Sequence, residues 1–348
     1  MDEIDLKKVL KSQDNKLRIC TEDEAEIKKL ARMLDEAQNV IVSGEGDKFI
    51  IPMISKYLID SCSDKKFEVY NARVLANYTP ESITSKSLVF FLTVRGKNID
   101  ILDAINAVKS KNASIIVITQ LESKTKDSIY SALKGYKNYE IFVPVKNETI
   151  TAPSTTTSNT FLSVLNTIII YSMEGKMNIE PMLMNQLIDL PVFFDELNKS
   201  SSFHEWGLES SQKIKNIENP IISFIGDGPR YPICKKASQI QFLEQCKILG
   251  TAVQSEEFIN LILEEYINAD FNQVWVLLKP NERMVSVQAM NRFNEMHLMI
   301  SEKFPKERII IVDPLRFISM PGEGKKCDII FSSVYMLMIE WLSYYCSA

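Results

Sequence analysis

The chain has 348 residues, 45% hydrophobic and 24% charged, with a formal net charge of −5, a size that normally folds as about two domains, each with its own core. Lys and Arg are scattered rather than striped, which excludes an obvious nucleic-acid surface and favours a small polar ligand. The acidic opening Met1-Asp2-Glu3-Ile4-Asp5 is unlike a signal peptide, and the longest apolar runs, 164–171 and 334–341, are short for a bilayer.

In chain order, residues 1–38 read as a helical lead-in, strongly periodic over 22–37. β-type runs follow at 39–42, 67–70, 88–93, 115–119 and 140–143, spaced by helical patterns such as 49–60 and 99–109. Residues 39–175 are thus expected to form one α/β domain with parallel strands and right-handed crossovers. Residues 176–216 read as a helical interdomain link. A helical pattern at 159–173 leads into it and patterns at 180–198 and 205–215 make it up, punctuated by Gly175, Pro181, Pro191 and the run Ser200-Ser201-Ser202. The scheme then repeats in residues 217–348, with strands expected at 220–225, 250–254, 273–278, 308–312 and 328–331 and helices at 231–249 and 285–304.

The two halves share one signature. Ser43-Gly44-Glu45-Gly46-Asp47-Lys48 closes the first strand of one half, and Gly226-Asp227-Gly228-Pro229-Arg230 closes the first strand of the other. Each leads into a helix, a geometry that aims free backbone N–H groups at a ligand. An internal duplication of one α/β unit follows. Neither turn has the third glycine of a dinucleotide fingerprint, and no acidic residue ends the second strand convincingly, so a Rossmann dehydrogenase is disfavoured. Six separated cysteines (Cys20, Cys62, Cys234, Cys246, Cys327, Cys346) and two histidines support neither a disulfide framework nor a zinc site. Reduced thiols, a cytoplasmic location, and no metal or cofactor are expected.

Three segments carry polar chemistry. Thr93-Val94-Arg95-Gly96-Lys97-Asn98 ends an apolar strand and opens a helix, so hydroxyl, guanidinium and backbone donors converge where a helix dipole favours an anion. The plainer reading is a surface turn with Asn98 as helix cap. Residues 149–160 are dense in hydroxyls, with Ser154 and Thr155 among them, more than one cap needs, although a solvated linker has the same composition. Residues 244–260 hold Glu244, Glu256 and Glu257, any of which could move a proton between neighbouring sugar carbons, or could simply be solvated. His297 reads as a helix-surface or core-edge residue, and His204 as linker packing.

These motifs resemble the tandem sugar-isomerase-domain (SIS) family, over roughly residues 30–345. Its first glycine turn resembles Ser43-Gly44-Glu45-Gly46, its segment after the second strand resembles Asn71-Ala72-Arg73-Val74, and its phosphate loop resembles 93–100 with Arg95 and Asn98 in place of a Ser and a Thr. A further match is Ala152-Pro153-Ser154-Thr155-Thr156, and the second-domain Gly-x-Gly-x-x-Tyr-Pro-Ile is Gly226 to Ile233. The resemblance implies two doubly wound parallel-sheet SIS domains, flavodoxin-like three-layer αβα units in tandem, assembled as a homodimer. It also implies a phosphosugar gripped by Ser43, Gly44, Glu45, Thr93, Arg95, Gly96, Asn98, Ser154 and Thr155.

In active relatives a glutamate on the helix after Tyr-Pro-Ile is the proton-transfer base, and with one inserted residue Glu244 falls there. The family's Gly-Glu-x-x-His element is similar to Glu256-Glu257-Phe258-Ile259-Asn260, which would make Glu257 and Asn260 catalytic positions, with an amide where the histidine stands. In the aminotransferase a C-terminal extension completes the site; none is expected here, so that activity is not the one implied. The implied function is aldose–ketose isomerisation or deglycation of a fructosamine 6-phosphate, with a phosphorylated sugar or sugar-amine conjugate as ligand. The alternative is a phosphosugar sensor without turnover. Apolar segments 161–171 and 334–345 exceed what one sheet face needs, which also points to a homodimer.

Overall fold

A computed structural model describes residues 3–121, 128–145, 156–173, 181–262, 272–319, 322 and 324–348. The chain divides into two compact units: Asn15–Leu187, and Met1–Asp14 together with Ile188–Ala348.

The first unit is built on five parallel strands: β1 (Asn39–Gly44), β2 (Lys66–Asn71), β3 (Ser87–Thr93), β4 (Ser114–Thr119) and β5 (Tyr139–Phe142). Their order is β2-β1-β3-β4-β5, the flavodoxin-like order, which reverses between β1 and β3. β3 reads Ser-Leu-Val-Phe-Phe-Leu-Thr and is buried throughout, as a central strand covered on both faces must be. On one face Ile41, Val89, Phe91, Ile115 and Val117 pack with Leu75, Ile101, Ile105 and Val108 from the helices Ala72–Asn77 and Ile99–Ser110. The alternate residues Val40, Val42, Leu88, Phe90 and Ile116 are equally buried. The helices Glu24–Glu36, Pro52–Cys62 and Thr156–Ser172 pack with one another, and Ser55 donates to Asn166 at 2.8 Å between the last two.

The second unit has four parallel strands, β6 (Ile221–Ile225), β7 (Leu249–Val253), β8 (Gln273–Leu278) and β9 (Ile309–Val312), ordered β7-β6-β8-β9. Trp275, Leu277 and Ile225 meet Phe293, Met296 and Ile300 of the helix Val287–Lys303. The fifth strand expected at 328–331 is absent: those residues open the helix Lys325–Ser347. A short apolar run bounded by turns is ambiguous between strand and buried helix, and here the run at 334–341 continues it to 23 residues. That helix is long and apolar enough to cross a membrane by length and composition, yet it is core.

Its burial also corrects the surface argument for a dimer. Residues 158–170 and 327–344 are buried in the folded chain, so neither segment leaves an apolar face over. The helix carries its own polar anchors. Glu340 accepts from Lys236 at 2.6 Å and from Gln13 at 2.7 Å, all three buried. The serine run at 200–202 begins a helix rather than breaking one: Ser200 accepts from Phe203 N–H at 3.2 Å and caps Ser201–Lys215, which starts four residues ahead of the expected 205.

Candidate functional site

In an open parallel sheet, ligands bind beyond the carboxyl ends of the strands where the order reverses. In the first unit that point lies between β1 and β3, whose ends run level, Gly44 beside Leu92. The turns that start at Gly44 and at Thr93 therefore leave the sheet side by side. Gly44 is required by close approach: a Cβ there would lie 2.5 Å from the Lys48 carbonyl oxygen. Ser43, the residue before it, is fully buried, and its hydroxyl has no hydrogen-bond partner among the described residues. An unsatisfied buried hydroxyl at a crevice end calls for a ligand or water to complete it.

The turn after β3 is shaped by its own side chains. Thr93 Oγ1 accepts from Gly96 N–H at 3.2 Å. The Val94 carbonyl accepts from the Thr119 hydroxyl and the Gln120 N–H, both at 3.3 Å, which ties the turn to the end of β4. Gly96 has φ +57°, and a Cβ on it would meet Leu121 at 2.9 Å, so glycine is demanded twice over. Asn98 Oδ1 accepts from Asp100 N–H at 2.8 Å and Ile101 N–H at 3.3 Å. Its carbonyl group is thus occupied in capping the helix Ile99–Ser110, the plainer of the two sequence readings. Arg95 and Lys97 are exposed and pair with nothing among the described residues.

Nearby cations are neutralised. Arg73 Nε lies 3.2 Å from Asp100, whose hydrogen bond and charge hold the guanidinium above its ordinary range. Lys48 Nζ lies 2.6 Å from the buried Asp47, which also accepts from Ser158 at 2.6 Å. The ties of Asp47 and Arg73 escape a reading of the sequence because their partners, Ser158 and Asp100, are distant along the chain. Ser154 and Thr155 lie outside the described residues.

The two units repeat one detail. Glu45 accepts from Asn71 Nδ2 at 3.4 Å and Arg73 N–H at 3.3 Å, joining the turn after β1 to the helix start after β2. Asp227 accepts from Ser255 N–H at 2.8 Å and Ser255 Oγ at 2.5 Å, joining the turn after β6 to the helix start after β7. Each acid follows the first glycine of its turn. The crevice ends then diverge. In the second unit Arg230 is buried against Asp328 at 2.5 Å, and Tyr335 donates to the Lys279 carbonyl, both partners coming from the helix Lys325–Ser347. Lys279 pairs with Asp313 at 2.8 Å. No such closure occupies the Thr93 to Asn98 turn among the described residues.

Glu244 is exposed on Phe242–Cys246, directly after a π turn at Ala237–Gln241 that continues Tyr231–Lys236. A π turn takes up one extra residue without turning the following helix to a new face. Asn260 is exposed inside a second π turn, Phe258–Ile262. π turns are rare and concentrate at functional sites. Glu257 is exposed and accepts weakly from Gln254 N–H at 3.5 Å as a helix cap, and Glu256 pairs with Arg292 at 3.2 Å. Glu244 precedes β7 in the chain and Glu257 and Asn260 follow it, so the five residues of that strand, about 17 Å of extended backbone, lie between them along the chain.

Both histidines have structural settings. His204 meets the Asn198 carbonyl at 2.9 Å and the Tyr345 hydroxyl at 2.7 Å among Phe203 and Trp341. His297 lines a surface cavity of about 580 Å³ with Trp206, Lys213 and Phe317. Among the described residues no group of three or more His, Cys, Asp or Glu side chains could hold a metal.

Residues 33–171 match the family model for the SIS domain. No curated protein matches the sequence. Among solved structures, the C-terminal domain of glucosamine-fructose-6-phosphate aminotransferase from Francisella tularensis superposes with TM-score 0.71 at 16% identity, covering 98% of this chain and 94% of that one. Tagatose-6-phosphate ketose/aldose isomerase from Escherichia coli gives 0.69 at 13% identity, covering 98% and 92%. Glucosamine-6-phosphate deaminase from Thermotoga maritima gives 0.61 at 15% identity, covering 95% and 93%. At such identities the likeness is one of fold.

Proposed function

The chain carries an SIS domain over residues 33–171, and from that premise we propose that it binds a phosphorylated sugar in the crevice between the ends of β1 and β3. The observation that carries the reading is the pairing of two turns at the switch point. One exposes the uncommitted Arg95 at a helix start, and the other follows directly on the buried Ser43, whose hydroxyl is unsatisfied among the described residues. A phosphate suits the first by charge and dipole, and a sugar hydroxyl suits the second. Gly44 and Gly96 permit close backbone approach, Thr93 and Asn98 hold the loop's shape, and Glu45 braces the first turn. Ser154 and Thr155 complete the ligand loop in this reading.

The repeated acid-to-helix tie in the two units supports a tandem duplication of the fold. Among the described residues the Thr93 to Asn98 turn of the first copy carries cations without ion-pair partners, whereas Arg230 and Lys279 of the second copy are paired, and that favours the first as the ligand-bearing one. The proposed reaction is proton transfer at C1/C2, as an aldose–ketose isomerase or a fructosamine-6-phosphate deglycase, with Glu244 as base. Glu244 and the Glu257–Asn260 turn stand at opposite ends of β7, so a site that uses both draws on two copies of the chain. This supports a homodimer. No cofactor enters the scheme, and the proposed setting is the cytoplasm.

The deciding experiment separates binding from chemistry. Calorimetry against hexose 6-phosphates and fructosamine 6-phosphate should detect saturable binding. Glu244→Gln should keep that binding and lose at least about a hundredfold in turnover. Full turnover in the variant would remove Glu244 from the mechanism. A second reading, a sensor, is favoured by Asn260, whose amide cannot supply a proton near neutral pH. It predicts tight binding with no exchange of the sugar C2 proton in deuterated water.

A further inference from the structure

Four of the six cysteines, Cys20, Cys62, Cys234 and Cys327, are buried, and burial pushes the Cys234 thiol well above its ordinary range. Cys246 and Cys346 differ, since both reach the surface in part. Cys246 is the last residue of the helix Phe242–Cys246, and its Sγ lies 3.3 Å from the Ser343 carbonyl oxygen. Ser343 and Cys346 are three apart on the helix Lys325–Ser347 and so share a face. A sulfur seated on the Ser343 carbonyl is therefore beside Cys346. The two thiols do interact: the Cys246 sulfur, with burial, holds the Cys346 thiol above its usual range. The backbone after Cys246 turns at Lys247 in a left-handed conformation, φ +60°, so Cys246 ends its helix and is not fixed by a further turn.

We propose that Cys246 and Cys346 form an oxidation site that closes to an intrachain disulfide with hydrogen peroxide as oxidant. The Cys246 sulfur attacks the peroxide, an S–O bond forms, the O–O bond breaks and one water leaves. The Cys346 sulfur then attacks Cys246 Sγ, the S–S bond forms, the S–O bond breaks, and the Cys346 proton departs with the hydroxide as a second water. Two thiols are oxidised and one peroxide is reduced to two waters. The product ties the end of the helix that carries Glu244 to Lys325–Ser347. It closes a loop of about 100 residues, which restricts the unfolded chain.

The test uses the full chain treated with hydrogen peroxide and digested without reduction. Mass spectrometry should find the peptides of Cys246 and Cys346 joined, with two hydrogens lost, and dithiothreitol should separate them. The oxidised protein should melt at a higher temperature than the reduced one, a shift that Cys346→Ser and Cys246→Ala both abolish. Should either variant fold poorly, alkylation settles the matter on the wild type: oxidation must protect these two thiols together. Recovery of Cys246 and Cys346 as separate sulfinic acids, or joined to other cysteines, would overturn the proposal.

Discussion

Arg95 is the residue on which ligand binding turns. It sits exposed at a helix start with no carboxylate beside it among the described residues, whereas Arg73 and Lys48 each have one. Losing a charged hydrogen bond costs about 1.5–3 kcal/mol, so Arg95→Ala should weaken hexose 6-phosphate binding by about tenfold or more with an unchanged melting temperature. Calorimetry that found equal affinity would remove the arginine from the site. His297 gives a separate, structural prediction. Burial, and then the charge of Lys279, hold its imidazolium below the ordinary histidine range. The folded chain then takes up this proton less readily than the unfolded chain does, so stability falls as pH drops below ~6.5 and continues to fall until the folded-state pKa is passed. His297→Gln should lose less melting temperature than wild type between about pH 7.5 and about pH 5.5. The ring is only partly buried, so solvent screening keeps the difference modest.

The π turn at Ala237–Gln241 makes a prediction for the element that carries Glu244. Because such a turn holds one residue more than an α-helix needs, deleting the exposed Gln239 should restore regular helix and leave Phe242 buried and Glu244 facing as before. Removing Gln239 and Ile240 together leaves the helix one residue short and turns everything after it by about 100°. The single deletion should therefore melt near wild type and the double deletion far below it, as followed by circular dichroism. Equal damage from both would mean that the turn is not a one-residue insertion. The helix Lys325–Ser347 shows the opposite case, where local reading failed. Asp328 to Phe331 alone scans as a strand, and only the continuation to Trp341, with Asp328 committed to Arg230 and Glu340 to Lys236, makes it a helix.

For the whole molecule the testable consequence is assembly. The apolar helices once counted toward a dimer surface are core, so the case for pairing rests on the separation of Glu244 from Asn260 across β7 and on the SIS resemblance. Light scattering at micromolar concentration should report twice the 39.8 kDa chain mass. A monomer that still turns over a phosphosugar would contradict the two-copy site.

The strands of the first unit were legible to within two residues because a parallel strand covered on both faces is a continuous β-branched and aromatic run, which few other structures produce. The paired glycine turns were legible too, since close approach and positive φ leave a glycine no substitute. Which side chains at those turns are spent on structure was not legible. Asn98 is taken up by its helix cap, Thr93 by Gly96, Glu45 by Arg73 and Asp47 by Ser158, while the Ser43 hydroxyl and the Arg95 guanidinium are left over. Composition and spacing determine that such groups come to the crevice. Only the tertiary structure decides which of them already have partners, because the hydrogen bonds that use them up come from strands and helices brought together by the fold.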